Sequence, residues 1–317
     1  MSKAAIERAI GWGFVEMNAM VRLAVLVLAA AALAGCVSTS EPRVSTGTSV
    51  SQHLAGAPMR LTDKQLFDFA NALSANRRQC HALRRNVCLV TDEVPVAELA
   101  ALADHAQRSV DNVSRFLNVA PPDLVPVLIL KNTGEAHPVT RSVSYRHFRD
   151  NVLVSRESRS VVILPYNAAR RIGMKISTTH EVAHAVASHH FWTEDSNNSW
   201  LLSEGLAVYL HTRFGDSANV PPLGRMPRWM STANNFTGGY FAYLDQRNGK
   251  SGYGGPDATG MQKSFEYFLA GSFVGFLIER YGVEPFKQVY TGGSYRAVYG
   301  RSLNDLEKEW YYLVARS

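Results

Sequence analysis

Cysteine is scarce in this chain of 317 residues: Cys36, Cys80 and Cys88 are the whole complement. None stands in C-x-x-C spacing, so Cys80 and Cys88 do not read as zinc ligands. No apolar run reaches the roughly 18 residues that a bilayer-crossing helix needs. Internal repeats are absent too, which excludes a solenoid or a propeller. Charged residues make up only 19% of the chain against 46% hydrophobic ones, the balance of a globular protein rather than a disordered one. A clustered basic face is also missing. The net charge is +6, but the arginines are scattered, and their densest group (Arg77, Arg78, Arg84 and Arg85) is short. Nucleic-acid recognition asks for a basic face beside a recognisable module. No nucleic-acid partner is expected, and the excess charge reads as solvated surface or as attraction to anionic envelope polymers.

The N-terminus is more informative. Residues 23–34 are Leu, Val and Ala, preceded by Arg22 and followed by Gly35 and Cys36. A run of about a dozen residues has the length of a signal-peptide core. Its end, Leu33-Ala34-Gly35-Cys36, closely resembles the lipobox of bacterial lipoproteins. That resemblance implies cleavage before Cys36 and a lipid on its sulfur; the alternatives are an ordinary export signal or a buried helix with an incidental cysteine. Residues 1–16, with Trp12 and Phe14, do not look like the start of such a leader, so Met17 or Met20 is a candidate initiator. Val37 stands where lipoproteins retained in the inner membrane tend to carry Asp, which implies the outer membrane, facing the periplasm. With Cys36 lipidated, Cys80 and Cys88 are left as a pair in an oxidising compartment. A bridge between them would stabilise by about 2–3 kcal/mol through loop closure; two separate buried thiols are the alternative.

Residues 37–57 are rich in Ser, Thr, Gly and Pro without periodicity, and 37–60 is read as a tether. Helical spacing follows over 61–75, opened by Thr62 or Asp63, then strand character over 86–91. A strongly amphipathic helix covers 96–117, where Leu99, Leu102, Ala103, Ala106, Val110, Val113 and Leu117 recur at three and four residues. After Pro121-Pro122 come strands at 125–130, 152–155 and 160–164, then helices at 172–188 and 200–213. Residues 231–259, rich in Gly and aromatics, form a long loop that is functional or mobile. Helices at 263–281, stopped by Gly282, at 285–290 and at 303–314 complete the chain. Helix and mixed sheet followed by mostly helices predicts an α+β fold. It divides into an N-terminal α/β subdomain at 61–173 and a helical, metal-binding subdomain at 174–317.

The chemistry is concentrated in Thr178-Thr179-His180-Glu181-Val182-Ala183-His184. Helical residues four apart share a face, so His180 and His184 can present two imidazoles to one cation. Glu181, beside them, can reach a water on that cation without being a ligand. A catalytic zinc takes three protein ligands and keeps one position open. Glu204, in Trp200-Leu-Leu-Ser-Glu-Gly-Leu-Ala207, follows His184 by 20 positions, enough for a second helix to return antiparallel; a plain surface carboxylate is the alternative. Gly205 removes a side chain where the two helices approach. His189 and His190 read as cations at the helix C-terminus, and His211 as a packing or solvent-facing residue.

H-E-x-x-H followed by nineteen residues and E-G resembles the gluzincin pattern of thermolysin-like and aminopeptidase-like metallopeptidases. Ser203-Glu204-Gly205-Leu206-Ala207 looks like the N-E-G-F-A signature of the latter. Tyr267-Phe-Leu-Ala-Gly271-Ser-Phe273 resembles their Y-x-K-G-A helix start, with Tyr267 placed 63 positions after Glu204. The overall plan, with Tyr281-Gly282 and Leu306-Glu307-x-x-Trp310, also looks like small peptidase-MA-like lipoproteins. The resemblance implies a gluzincin catalytic domain with a small mixed sheet, zinc on His180, His184 and Glu204, Glu181 as general base, and Tyr267 as the oxyanion donor. Tyr240, Tyr243 and Tyr253 are rivals for that last role. A peptide or protein is the implied substrate, and the strand at 160–164 could receive an extended peptide by edge addition. Two departures stand out. No G-x-M-E-N-like run precedes the motif, so an endopeptidase is preferred over an aminopeptidase. Val208 occupies the place, four after Glu204, where thermolysin-like enzymes carry an acid that steadies the first histidine. A non-catalytic lipoprotein keeping the fold as a binding module, or a zinc hydrolase of cell-wall peptides, stays open as an alternative.

Overall fold

The computed structural model describes residues 76–91, 93–130, 141–144, 160–191, 199–215, 241–242 and 260–314, with positions 72 and 239. The leader expected to end at Cys36, the tether expected at 37–60, the strand expected at 152–155 and the rivals Tyr240, Tyr243 and Tyr253 lie outside them, as does all but one residue of the helix expected at 61–75.

In chain order the first half forms β1 (Ala82–Leu83), β2 (Val87–Thr91), α1 (Val96–Phe116), β3 (Val125–Leu130), β4 (Arg141–Ser144) and β5 (Ser160–Pro165). The second half is helical: α2 (Tyr166–Ile172), α3 (Met174–Phe191), α4 (Trp200–Phe214), α5 (Gly260–Tyr281), α6 (Val283–Tyr290), α7 (Tyr295–Tyr299) and α8 (Leu303–Val314). The fold is therefore α+β, as the order of patterns predicts. All described residues belong to one compact unit.

The five strands form one mixed sheet in the order β1-β2-β3-β5-β4. β2, β3 and β5 run parallel, with Val87 opposite Val125 and Val127 opposite Val162. Parallel strands covered on both faces read as unbroken apolar runs, and all five residues of β2 are buried. Pro126 lacks an N–H for the ladder, and is tolerated because β5 joins β3 only from Val127 onward. β1 and β4 close the two sides antiparallel. β5 is thus an interior strand, paired by β3 and by β4. The expectation that residues 160–164 offer a free edge is corrected: their backbone groups already serve two neighbours. Among the described residues the edge on that side is β4, whose Arg-Ser-Val-Ser sequence carries no apolar run to announce it.

Cys80 and Cys88 form a disulfide with Cα atoms 5.3 Å apart, tying the turn before β1 to β2. Of the arginine group, Arg84 pairs with Asp104 and Arg85 with Asp111.

The buried stripe of α1, from Leu99 to Val113, also carries His105 and Ser109. His105 Nε2 lies 3.0 Å from both the Lys175 carbonyl and Thr179 Oγ1, and Ser109 Oγ lies 2.8 Å from Thr179 Oγ1. This buried polar contact fixes the rotation of α3 one residue before His180. A left-handed Gly173, φ +114°, separates α2 from α3, so the helix expected over 172–188 starts at Met174 and runs to Phe191. Outward from the sheet, α3 packs on β4 and β5, α4 on α3, and α5 on α4. The last layer is pinned by Phe241, whose ring centroid is 4.3 Å from Phe273 and 4.9 Å from Trp310. Fully buried Glu307 accepts the Gly239 N–H at 2.6 Å.

Candidate metal centre

The centre is built where α3 and α4 cross. α3 is buried along most of its length, because β4, β5, α1 and α4 surround it, and His180 and His184 rise from it one turn apart. Their Nε2 atoms are 3.3 Å from each other and their rings stand edge to face. α4 begins at Ser199, whose hydroxyl caps the Leu202 N–H. One turn later it brings Glu204 Oε2 to 3.2 Å from His180 Nε2 and 3.3 Å from His184 Nε2. Three donor atoms thus converge on one point from two helices. Together they are a group that can hold a metal ion. Their side chains retain 13%, 12% and 21% exposure, so the focus is not sealed from solvent.

Electrostatics fit a site that demands positive charge. Burial opposes the charged form of His184, but Glu204, by charge and hydrogen bond, and Glu181 outweigh it and raise its pKa to about 9. Burial pushes Glu204 up, yet His184 and His180 hold its carboxyl well below the usual carboxylate range. A carboxylate between two imidazoles is satisfied by a proton shared among them or by a cation at their common focus. Glu181 is 2% exposed, and its charge reaches His184.

Tyr267 projects from α5, its ring centroid 6.2 Å from that of His180 and 5.2 Å from that of Trp200. It lies about two turns inside the helix rather than at its start. His189 and His190 take no part in the cluster. His190 Nε2 lies 2.6 Å from the Ala120 carbonyl, and burial lowers its pKa.

The structure adds residues that the motifs do not reveal. His211 packs its ring against His180, centroids 5.2 Å apart, and also places its Nδ1 3.0 Å from His180 Nδ1. Burial, with the charges of His180 and His184, takes its pKa down to about 3. Ser203 Oγ stands 3.3 Å from His184 Nδ1, and burial raises the pKa of the nearby Tyr290 to about 12. A signal was present for His211, since residues seven apart on one helix share a face, and His211 is seven after Glu204. Nothing local in sequence marks Tyr290, which arrives from α6.

Gly205 also differs from expectation. A Cβ there would lie 2.5 Å from Val274 Cγ2 and 2.6 Å from the Ala270 carbonyl oxygen, so the close approach it permits is to α5 and not to α3. Gly271 answers from α5, where a Cβ would lie 2.4 Å from Val208 Cγ1. The crossing that carries Glu204 is thereby locked to the helix that carries Tyr267.

Compared with known proteins, the chain matches no family model, no curated protein and no solved structure. The centre is characterised by its own donors: two imidazoles, one carboxylate, a second buried carboxylate beside them and a tyrosine ring against the first histidine.

Proposed function

We propose that this chain is a zinc-dependent endopeptidase of the bacterial envelope, with the ion held by His180, His184 and Glu204. The convergence of those three donors carries the reading. Ligands of a tetrahedral zinc bound at about 2.0–2.2 Å stand about 3.3–3.6 Å apart, and the observed separations are 3.2, 3.3 and 3.3 Å. Two imidazoles and a carboxylate are also a common donor set for catalytic zinc, which keeps a fourth position open.

The chemistry such an ion supplies is Lewis acidity toward a carbonyl and a water acidified to near neutrality. The rest is done by side chains of this chain. Glu181 takes the proton of the attacking water and returns it to the departing amine. Tyr267 donates its hydroxyl to the developing oxyanion. β4 packs against α3 and, among the described residues, is paired on one side only. It is the edge to which an extended peptide substrate would add, the role that residues 160–164 do not fill. The absence of a motif that captures a free amino terminus favours internal cleavage.

The lipobox-like segment ending at Cys36 supports a lipid tether, and Val37 supports the outer membrane facing the periplasm. The Cys80–Cys88 disulfide suits an oxidising compartment. Among the described residues no helix is long and apolar enough to cross a membrane.

The test joins metal content to turnover. Wild-type protein should carry one zinc per chain and cleave a quenched peptide library, and Glu181→Gln should keep the zinc and lose about 10²–10⁴-fold in kcat. Wild-type rates in Glu181→Gln would refute the mechanism. A zinc-loaded protein that cleaves neither peptides nor purified cell-wall fragments would refute the activity.

A further inference from the structure

A histidine that gives Nε2 to a metal carries its proton on Nδ1, and the partner of that proton fixes the ring's tautomer, its orientation and its basicity. The partner in metal sites is often a carboxylate, and Val208 shows that none is supplied by the position four after Glu204. Both outward nitrogens are nevertheless met. His180 Nδ1 faces His211 Nδ1 at 3.0 Å, and His184 Nδ1 faces Ser203 Oγ at 3.3 Å. Both partners lie on α4, the helix that also carries Glu204, so one rigid element supplies the third donor and aims the other two.

Resting on the zinc site described above, we propose that His211 and Ser203 are the positioning residues of the metal-binding histidines, a neutral imidazole and a hydroxyl standing where a carboxylate would be usual. One proton fits between two Nδ1 atoms 3.0 Å apart. With the His180 Nε2 lone pair reserved for the ion, that proton belongs to His180, which donates it to His211; His211 is then the Nε2–H tautomer. On the other side His184 donates Nδ1–H to Ser203. Neutral acceptors pull less on the N–H proton than a carboxylate does. The two ligands therefore give the ion less electron density, and it stays a stronger Lewis acid than in a carboxylate-backed site.

The test reads the ion directly. Zinc affinity is measured by competition with a chromophoric chelator, and cobalt(II) replaces zinc to report the ligand field by visible absorption. His211→Ala should weaken zinc binding about 10–100-fold and move the cobalt bands. His211→Asn should recover most of the affinity and the wild-type bands, because its Oδ1 stands where Nδ1 stood. Equal zinc affinity in wild type and His211→Ala would overturn the proposal, as would equal losses in the Ala and Asn variants, which would mark a packing role alone. Should His211→Ala fail to fold, the imidazole ¹⁵N spectrum of zinc-loaded wild type decides. It should show Nδ1–H on His180 and Nε2–H on His211, and the opposite tautomers would overturn the proposal. A wild type that binds no zinc would remove both this proposal and the peptidase. A wild type that binds zinc with these affinities yet cleaves no peptide would remove the peptidase alone.

Discussion

Gly205→Ala offers a test in which the sign of the effect decides. Gly205 lies within α4, next to Glu204. In an unconstrained helix interior, replacing glycine by alanine stabilises by about 0.8–1 kcal/mol through propensity. Here the new methyl would sit 2.5 Å from Val274 Cγ2, 2.6 Å from the Ala270 carbonyl oxygen and 2.9 Å from its carbon. Ordinary contact begins near 3.4 Å, so the helices must separate by close to 1 Å. Val274 can turn, but the Ala270 carbonyl belongs to the α5 backbone and cannot yield without the helix. Overpacking of this kind costs about 1–3 kcal/mol, which exceeds the propensity gain at its middle and upper range. The net expectation is a loss of about 1–2 kcal/mol in urea unfolding. A second effect should follow, because α5 carries Tyr267 and α4 carries Glu204. A displacement near 1 Å can cost about 10²-fold in turnover, so kcat should fall by more than the stability loss accounts for at a temperature where the variant is fully folded. A higher Tm with unchanged kcat would refute the tight α4–α5 crossing and its coupling to the site.

Other expectations are briefer. His184→Ala and Glu204→Ala should each lose the metal, and elemental analysis showing full zinc occupancy in either would exclude that residue as a ligand. Tyr267→Phe should lower kcat about 10²–10³-fold, the usual effect of losing one oxyanion donor, with KM little changed; an unaltered kcat would take Tyr267 out of the chemistry. Replacing Cys80 and Cys88 together by serine should destabilise by about 2–3 kcal/mol, read by urea unfolding against wild type. On α8, burial pushes Glu309 up, but Tyr281, Arg280 and Arg301 together hold its pKa below 4.5. A depressed carboxylate pKa contributes stability that is present above the unfolded value and is lost as pH falls through the folded one. Glu309→Gln should therefore cost stability at pH 7 and cost progressively less below about pH 4.5; a difference constant across that range would disprove the linkage.

Much of this molecule is legible in its sequence because its strongest patterns are local. The stripe from Leu99 to Val113 gives α1 to within one residue, and the H-E-x-x-H spacing by itself puts two imidazoles on one helical face. Gly282, with φ +94°, ends α5 as its position foretells. What escapes depends on neighbours that sequence spacing does not name. β4 is polar and four residues long, and it becomes a strand because β5 offers it a partner. For the same reason β5, which reads as a free apolar strand, turns out to be interior. Gly205 is legible as a close approach but not as an approach to α5, since helix order in space is settled by tertiary packing. His211 carries a periodic signal, seven residues from Glu204, but a neutral imidazole is not the acid that a metal-binding histidine usually leans on, and Val208 fills the place where that acid is expected. α7 is too short to show any period at all.

The most direct measurement is anomalous diffraction at the zinc edge from crystals of the protein grown with zinc. The expected result is one peak within about 2.0–2.2 Å of His180 Nε2, His184 Nε2 and Glu204 Oε2, with its remaining coordination position open toward solvent. Zinc bound elsewhere, or no peak at this point in protein saturated with the ion, would contradict the metal centre and the enzyme built on it.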